Sequence, residues 1–159
     1  MNANAIEALE LLASATRELL ANSDLSYAVP GERNVVSELF FLLRPRFPQY
    51  TVSNEYDRRE QEVKMLGDSK IIPDLIVHRV GDQNHNLLVV EIKLLGNYDF
   101  DRDARKLRGL TDLGGEYRYA VGVHLVLDMA RSRVIRGNVY VDGIVDDYAS
   151  RWLEGQMRR

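Results

Sequence analysis

Apolar residues recur along this chain in two rhythms. Over residues 3–21, Ile6, Leu9, Leu12 or Ala13, Ala15 or Thr16, Leu19 and Leu20 return at helical spacing, and Asn22-Ser23-Asp24 ends the run. Pro30-Gly31 marks a turn. Residues 34–43 repeat the rhythm through Val35, Val36, Leu39, Phe40, Leu42 and Leu43, with Pro45 as a stop. The spacing then shortens. Residues 50–56 form a short β-rich stretch and residues 57–61 a very polar one. The runs 71–79 and 87–95 are apolar and of strand length, joined by a polar stretch with hairpin-loop composition. Pro73 cannot donate a ladder hydrogen bond, so it belongs at a strand start, an edge or a bulge. Residues 100–113 return to helical spacing through Phe100, Ala104, Leu107 and Leu110, with Asp99 or Asp101 as the N-cap. After Gly114-Gly115, residues 119–127 read as a strand and 134–144 as a further strand or hairpin arm. Residues 146–157 read as a terminal helix packing through Tyr148, Trp152 and Leu153.

The order is helix, helix, three strands, helix, strand and a C-terminal addition. Short connections favour antiparallel pairing among the first three strands, and the helix before residue 119 permits a parallel crossover. The expected fold class is α/β, a mixed central β-sheet flanked by helices. At 159 residues, with no repeat, low-complexity tract or linker, a single domain over 1–159 is expected.

Two strand runs break their own pattern. In Leu87-Leu88-Val89-Val90-Glu91-Ile92-Lys93-Leu94-Leu95, side chains alternate between faces. Leu87, Val89 and Leu95 share a face with Glu91 and Lys93, while Leu88, Val90, Ile92 and Leu94 fill the other. Apolar residues on both faces mark a strand buried on both sides. A charge there costs several kcal/mol in order of magnitude unless it is paired, hydrogen-bonded or metal-bound. Asp74 interrupts the run 71–79 in the same way. If the two runs are neighbouring strands, Asp74 lies beside Glu91, and two carboxylates and an ammonium converge.

Composition narrows the chemistry. The chain has no cysteine, which removes disulfides and thiolate metal sites and fits a reducing compartment. No apolar run approaches the ~20 residues of a membrane span, and no secretory leader is evident, so a cytoplasmic protein is expected. A net charge of −3 gives no global attraction to nucleic acid. Polyanion binding therefore needs a local basic face or a metal ion.

Paired carboxylates on adjacent strands suit Mg²⁺ or Mn²⁺, which take oxygen ligands and keep several waters. Such an ion binds a phosphate oxygen and lowers the pKa of a coordinated water. Lys93 can orient that water or stabilise charge in the transition state. The backbone carbonyl of Ile92, between the two side chains, offers a further oxygen ligand. Glu38 lies at the edge of the apolar stripe of 34–43, where a carboxylate either reaches a cleft beside the sheet or forms a solvated flank. Glu55 is another acidic candidate, with a surface pair to Arg58 or Arg59 as its plainer role. Arg102, Arg105, Lys106 and Arg108 either contact phosphates or pair with Asp101, Asp103 and Asp112. His78 and His85 lack a second histidine at ligand spacing and read as structural or solvated.

Pro73-Asp74, followed after a hairpin loop by Glu91-Ile92-Lys93, resembles the signature of the PD-(D/E)XK nuclease superfamily, which includes restriction endonucleases and Holliday-junction resolvases. The resemblance covers most of the chain. It implies a restriction-endonuclease-like αβββαβ core, with the first helix and the C-terminal segment as additions. It implies Asp74 and Glu91 as metal ligands, Lys93 as the catalytic lysine, and Mg²⁺ or Mn²⁺ as cofactor. Glu38 occupies the place of a helix glutamate that many members use at the same site. Arg105 and Lys106 fall where members hold substrate. The implied activity is metal-dependent hydrolysis of phosphodiester bonds in nucleic acid, DNA in the first instance, by an endonuclease or exonuclease. Small members often form homodimers, for which the N-terminal helix or Tyr148-Trp152-Leu153 offers a face. The competing expectation is a catalytically silent nuclease-like module acting in protein interaction or DNA binding.

Overall fold

In the computed structural model, residues 1–54, 58–59, 62–63, 65–97 and 99–158 are described. Three helices come first: α1 (Ala3–Ala21), α2 (Ser23–Ala28) and α3 (Glu32–Leu43). Strand β1 (Thr51–Asn54) is followed by two short ladders, β2 (Arg58–Arg59) with β3 (Glu62–Val63) and β4 (Met65–Leu66) with β5 (Ser69–Lys70). Then come β6 (Leu75–His78), β7 (Leu88–Leu94), α4 (Phe100–Thr111), β8 (Val121–Asp128), β9 (Arg133–Val141), β10 (Ile144–Asp146) and α5 (Asp147–Met157).

Six strands form one mixed sheet in the order β1-β6-β7-β8-β9-β10. Only β7 and β8 run parallel; the other neighbours are antiparallel. That parallel pair requires a crossover, which α4 supplies. The expected α/β class is therefore observed, a mixed sheet with helices on both faces.

The period-two alternation of β7 decides which helix each residue meets. Leu88, Val90 and Ile92 join the larger core with Leu9, Leu12, Leu39 and Leu153 from α1, α3 and α5. Val89 joins the smaller core with Leu107 and Leu110 of α4. Glu91 and Lys93 follow Val89 at even spacing and so belong to the α4 face. The approach of α4 to β8 is close. A Cβ added at Gly122 would lie 2.9 Å from Thr111 Cγ2 and 3.1 Å from Leu107 Cδ2.

Several boundaries differ from the sequence expectation for identifiable reasons. Strand β6 begins at Leu75 instead of residue 71, because Pro73 has no N–H for the ladder. Helix α2 has no buried residue, so apolar spacing did not reveal it; Asn22 caps it by accepting the Asp24 amide. The region 134–144 is a hairpin, with Asp142 and Gly143 at positive φ in the turn between β9 and β10. Of the residues expected to offer a dimer face, Leu153 is buried in the core and Trp152 packs against it, leaving Tyr148 exposed. Of the α1 stripe, Leu9, Leu12, Leu19 and Leu20 are likewise buried, while Ile6 is exposed. Among the described residues, no helix is long and apolar enough to cross a membrane.

Candidate functional site

The register places Leu75 opposite Val90, so Asp74 stands one step further, at Glu91 and Ile92. Asp74 Oδ2 accepts the Ile92 amide at 2.7 Å. A side-chain oxygen thus supplies the acceptor for the Ile92 amide just beyond the start of β6. Glu91 is fully buried. Its Oε2 lies 2.5 Å from Lys106 Nζ of α4, and its Oε1 has no hydrogen-bond partner among the described residues. Lys93 points along the same face, with Nζ 3.0 Å from Glu32 Oε1 and 3.3 Å from Asp103 Oδ2. Asp74, Glu91 and Lys93 are therefore brought together as their spacing implied.

Helix α4 completes the cluster through one turn. Asp103 and Lys106 are three residues apart on one helical face, 3.2 Å between Oδ1 and Nζ. The buried Asp103 also faces His124 of β8, whose Nε2 is 3.6 Å from Oδ2, an electrostatic contact beyond hydrogen-bond length. His124 is in register with Glu91, and the Phe100 ring meets it edge-on at 5.4 Å between centroids. Four carboxyl groups, of Glu32, Asp74, Glu91 and Asp103, thus surround two ammonium groups, of Lys93 and Lys106.

Burial is the largest influence on every one of these groups that is shifted. It raises the Asp74 carboxyl above its ordinary value, against the Ile92 amide and the two lysines. It raises Glu91 well above the usual range, and the Asp74 charge adds to the effect, while Lys106 only partly offsets it. For Asp103 burial also acts upward, but His124, Lys106 and Lys93 outweigh it and hold the group at about 2. Burial acts to lower both lysines. Glu32 and Asp103 nevertheless raise Lys93, and Glu91 and Asp103 raise Lys106.

These donors fit a hard divalent cation in their chemistry. A buried carboxylate oxygen without a partner among the described residues, beside a second carboxylate and an excess of negative charge, is the setting that such an ion satisfies. Among the described residues no three acidic or histidine side chains gather into a ready-made cage. Two carboxylates with water completing the shell match the habit of Mg²⁺.

The remaining candidates fall in different places. Glu38 is outside the cluster. It is exposed, and it lines a groove with Glu18, Leu19, Leu25 and Leu42, where α3 meets α1 and α2. The carboxylate that α3 contributes is Glu32, in its first turn. Sequence reading started this helix at residue 34 and so passed over it. Ile92 lies in β7 with its amide on Asp74. Lys106, expected to hold substrate, is instead engaged with Glu91, while Arg105 is exposed. Both line a cleft of about 620 Å³ with Lys70, Ile71 and Arg102. Glu55 lies outside the described residues. His78 is buried with Ser53 Oγ 3.5 Å from its Nε2, and the half-exposed His85 pairs with Asp82 at 2.6 Å. His124 was missed, although it carries the same signal as Asp74 and Glu91, a polar group inside an apolar strand run.

Comparison with protein-family models, curated proteins and solved structures gave no match.

Proposed function

We propose that this protein is a metal-dependent nuclease that hydrolyses phosphodiester bonds of nucleic acid, DNA in the first instance. The observation that carries this reading is Glu91: fully buried, with Oε1 unpartnered among the described residues, between Asp74 and Lys93. Packing alone gives no reason to place these groups in a sheet. Counting only strands of the six-stranded sheet, the order α3, β1, β6, β7, α4, β8, with its parallel β7–β8 pair, supports the αβββαβ core implied by the resemblance.

Asp74 and Glu91 would hold Mg²⁺ or Mn²⁺, with the Ile92 carbonyl as a further oxygen donor. When bound, such an ion would supply charge neutralisation at the phosphate and lower the pKa of water. Lys93, fixed by Glu32 and Asp103, orients the attacking water and donates N–H to the phosphoryl oxygen as negative charge builds there. Arg105 and its neighbours in the cleft hold the substrate backbone by charge, independently of base sequence. The test is cleavage of single-stranded, duplex, flapped and branched substrates with and without Mg²⁺. Activity that persists in both Asp74→Ala and Lys93→Ala rules the assignment out.

A second reading is favoured by the closure of the ion-pair network, since each lysine already has two carboxylate partners. In that case the chain is a silent nuclease-like module that binds DNA or a protein. It then folds and binds but cleaves nothing with any divalent ion.

A further inference from the structure

We propose that Lys106 is a displaceable internal counter-ion of Glu91, released into the adjoining cleft when a divalent metal binds, so that metal occupancy and substrate grip are coupled. The inference rests on the metal-dependent reading above.

Lys106 holds Glu91 by Oε2 at 2.5 Å, and no hydrogen bond from the described residues reaches Oε1. A fully buried carboxylate needs an opposing charge. Here an ammonium supplies it, bound to the group that would ligate the metal. A divalent ion on the same carboxylate removes that need and repels the ammonium at close range.

The two lysines of the cluster are not equivalent. Lys93 rises from the same strand as Glu91 and is held by Glu32 and Asp103, neither of which is among the proposed metal ligands. Lys106 comes from α4, shares Asp103 with Lys93 but has the metal-ligand candidate Glu91 as its nearer partner, and its side chain already borders the cleft of about 620 Å³ beside β4 and β5. Its flexible four-carbon stem lets the ammonium change partners by rotation alone. Without Lys106, the charged lining of that cleft among the described residues is Lys70, Arg102, Arg105, Asp99 and Asp101, a net excess of one positive charge. Released Lys106 doubles the excess, where a polyanion would lie. By linkage, substrate in the cleft then tightens the metal by the same factor.

The test is the reactivity of Lys106 toward an amine-acylating reagent, read by mass spectrometry on the full chain with and without Mg²⁺. Mn²⁺ binding is followed in parallel by electron paramagnetic resonance. Lys106 labelling is expected to rise roughly threefold or more with Mg²⁺, as a side chain that is 13% exposed moves to open solvent. Glu91→Gln is expected to give the fast rate without metal. Bound Mn²⁺ with unchanged Lys106 labelling in the presence of Mg²⁺ overturns the inference and leaves the metal reading standing. Folded Glu91→Gln with Lys106 still protected also overturns it, by showing that Asp103 is the true anchor. No bound Mn²⁺ overturns the metal reading and the inference together. The wild-type arm stands even if the variant fails to fold.

Discussion

Asp74 and Ile92 are joined side chain to backbone, Oδ2 accepting the amide at 2.7 Å. The bond continues the β6–β7 ladder one step past Leu75 and Val90 and fixes the acid beside Glu91. Structural and chemical roles of Asp74 can therefore be separated. Asp74→Ala leaves the Ile92 amide without its partner and is expected to cost about 1–3 kcal/mol. Asp74→Asn retains an acceptor oxygen and is expected to unfold near the wild-type midpoint while losing metal-dependent cleavage. Denaturant titration of both variants beside the cleavage assay checks this.

Glu91 gives a pH signature. Its folded-state carboxyl is raised well above the ordinary value of 4.5. Between those two values the folded chain binds more protons than the unfolded one, so this group makes stability fall as pH rises. Glu91→Gln is thus expected to gain on wild type as pH increases from about 4.5 in metal-free buffer. Added Mg²⁺ should restore wild type and leave the variant unchanged. Unfolding midpoints across the pH range, with and without Mg²⁺, measure both effects.

Asp103 has the opposite sign. It is held at about 2, below the ordinary 3.8. Its contribution is present above 3.8 and is lost as pH falls toward 2. The difference corresponds to on the order of 2 kcal/mol. Asp103→Asn is expected to lose about that much at neutral pH and to show a flatter acid limb in chemical unfolding.

Lys93 tests the division of labour. Lys93→Met is expected to lower cleavage by roughly two orders of magnitude or more, as removal of a group that stabilises transition-state charge does. Mn²⁺ binding should persist, because Asp74 and Glu91 are untouched. Turnover and metal titration on the same preparation separate the two.

Gly122 links packing to the site. Its missing side chain lets Thr111 and Leu107 sit against β8. Gly122→Val forces α4 outward and is expected to cost about 1–3 kcal/mol. Because α4 carries Asp103 and Lys106, the variant should also lose activity beyond its loss of stability. Thermal unfolding and cleavage at a temperature where the variant is folded check the pair.

The site was legible where one strand's own pattern was violated. Asp74, Glu91 and Lys93 interrupt apolar runs, and burial makes such interruptions expensive enough to notice. The sheet and its helices were legible for a related reason, because their apolar periods are strong. Partners from other elements were not legible. Glu32 is an ordinary acid in the first turn of a helix, and nothing local distinguishes it from Glu38. Lys106 and Asp103 form an i,i+3 pair that resembles any solvated helix face; only the docking of α4 on β7 and β8 buries them. His124 carried the telling anomaly, but its one polar group in a nine-residue run did not by itself point to a partner.

The most direct measurement is a crystal structure grown with Mn²⁺, with the anomalous signal locating the ion. One peak is expected between Asp74 and Glu91, with Lys106 turned away from Glu91 toward the cleft. No peak at saturating Mn²⁺, or a peak elsewhere with Lys106 still on Glu91, contradicts this expectation.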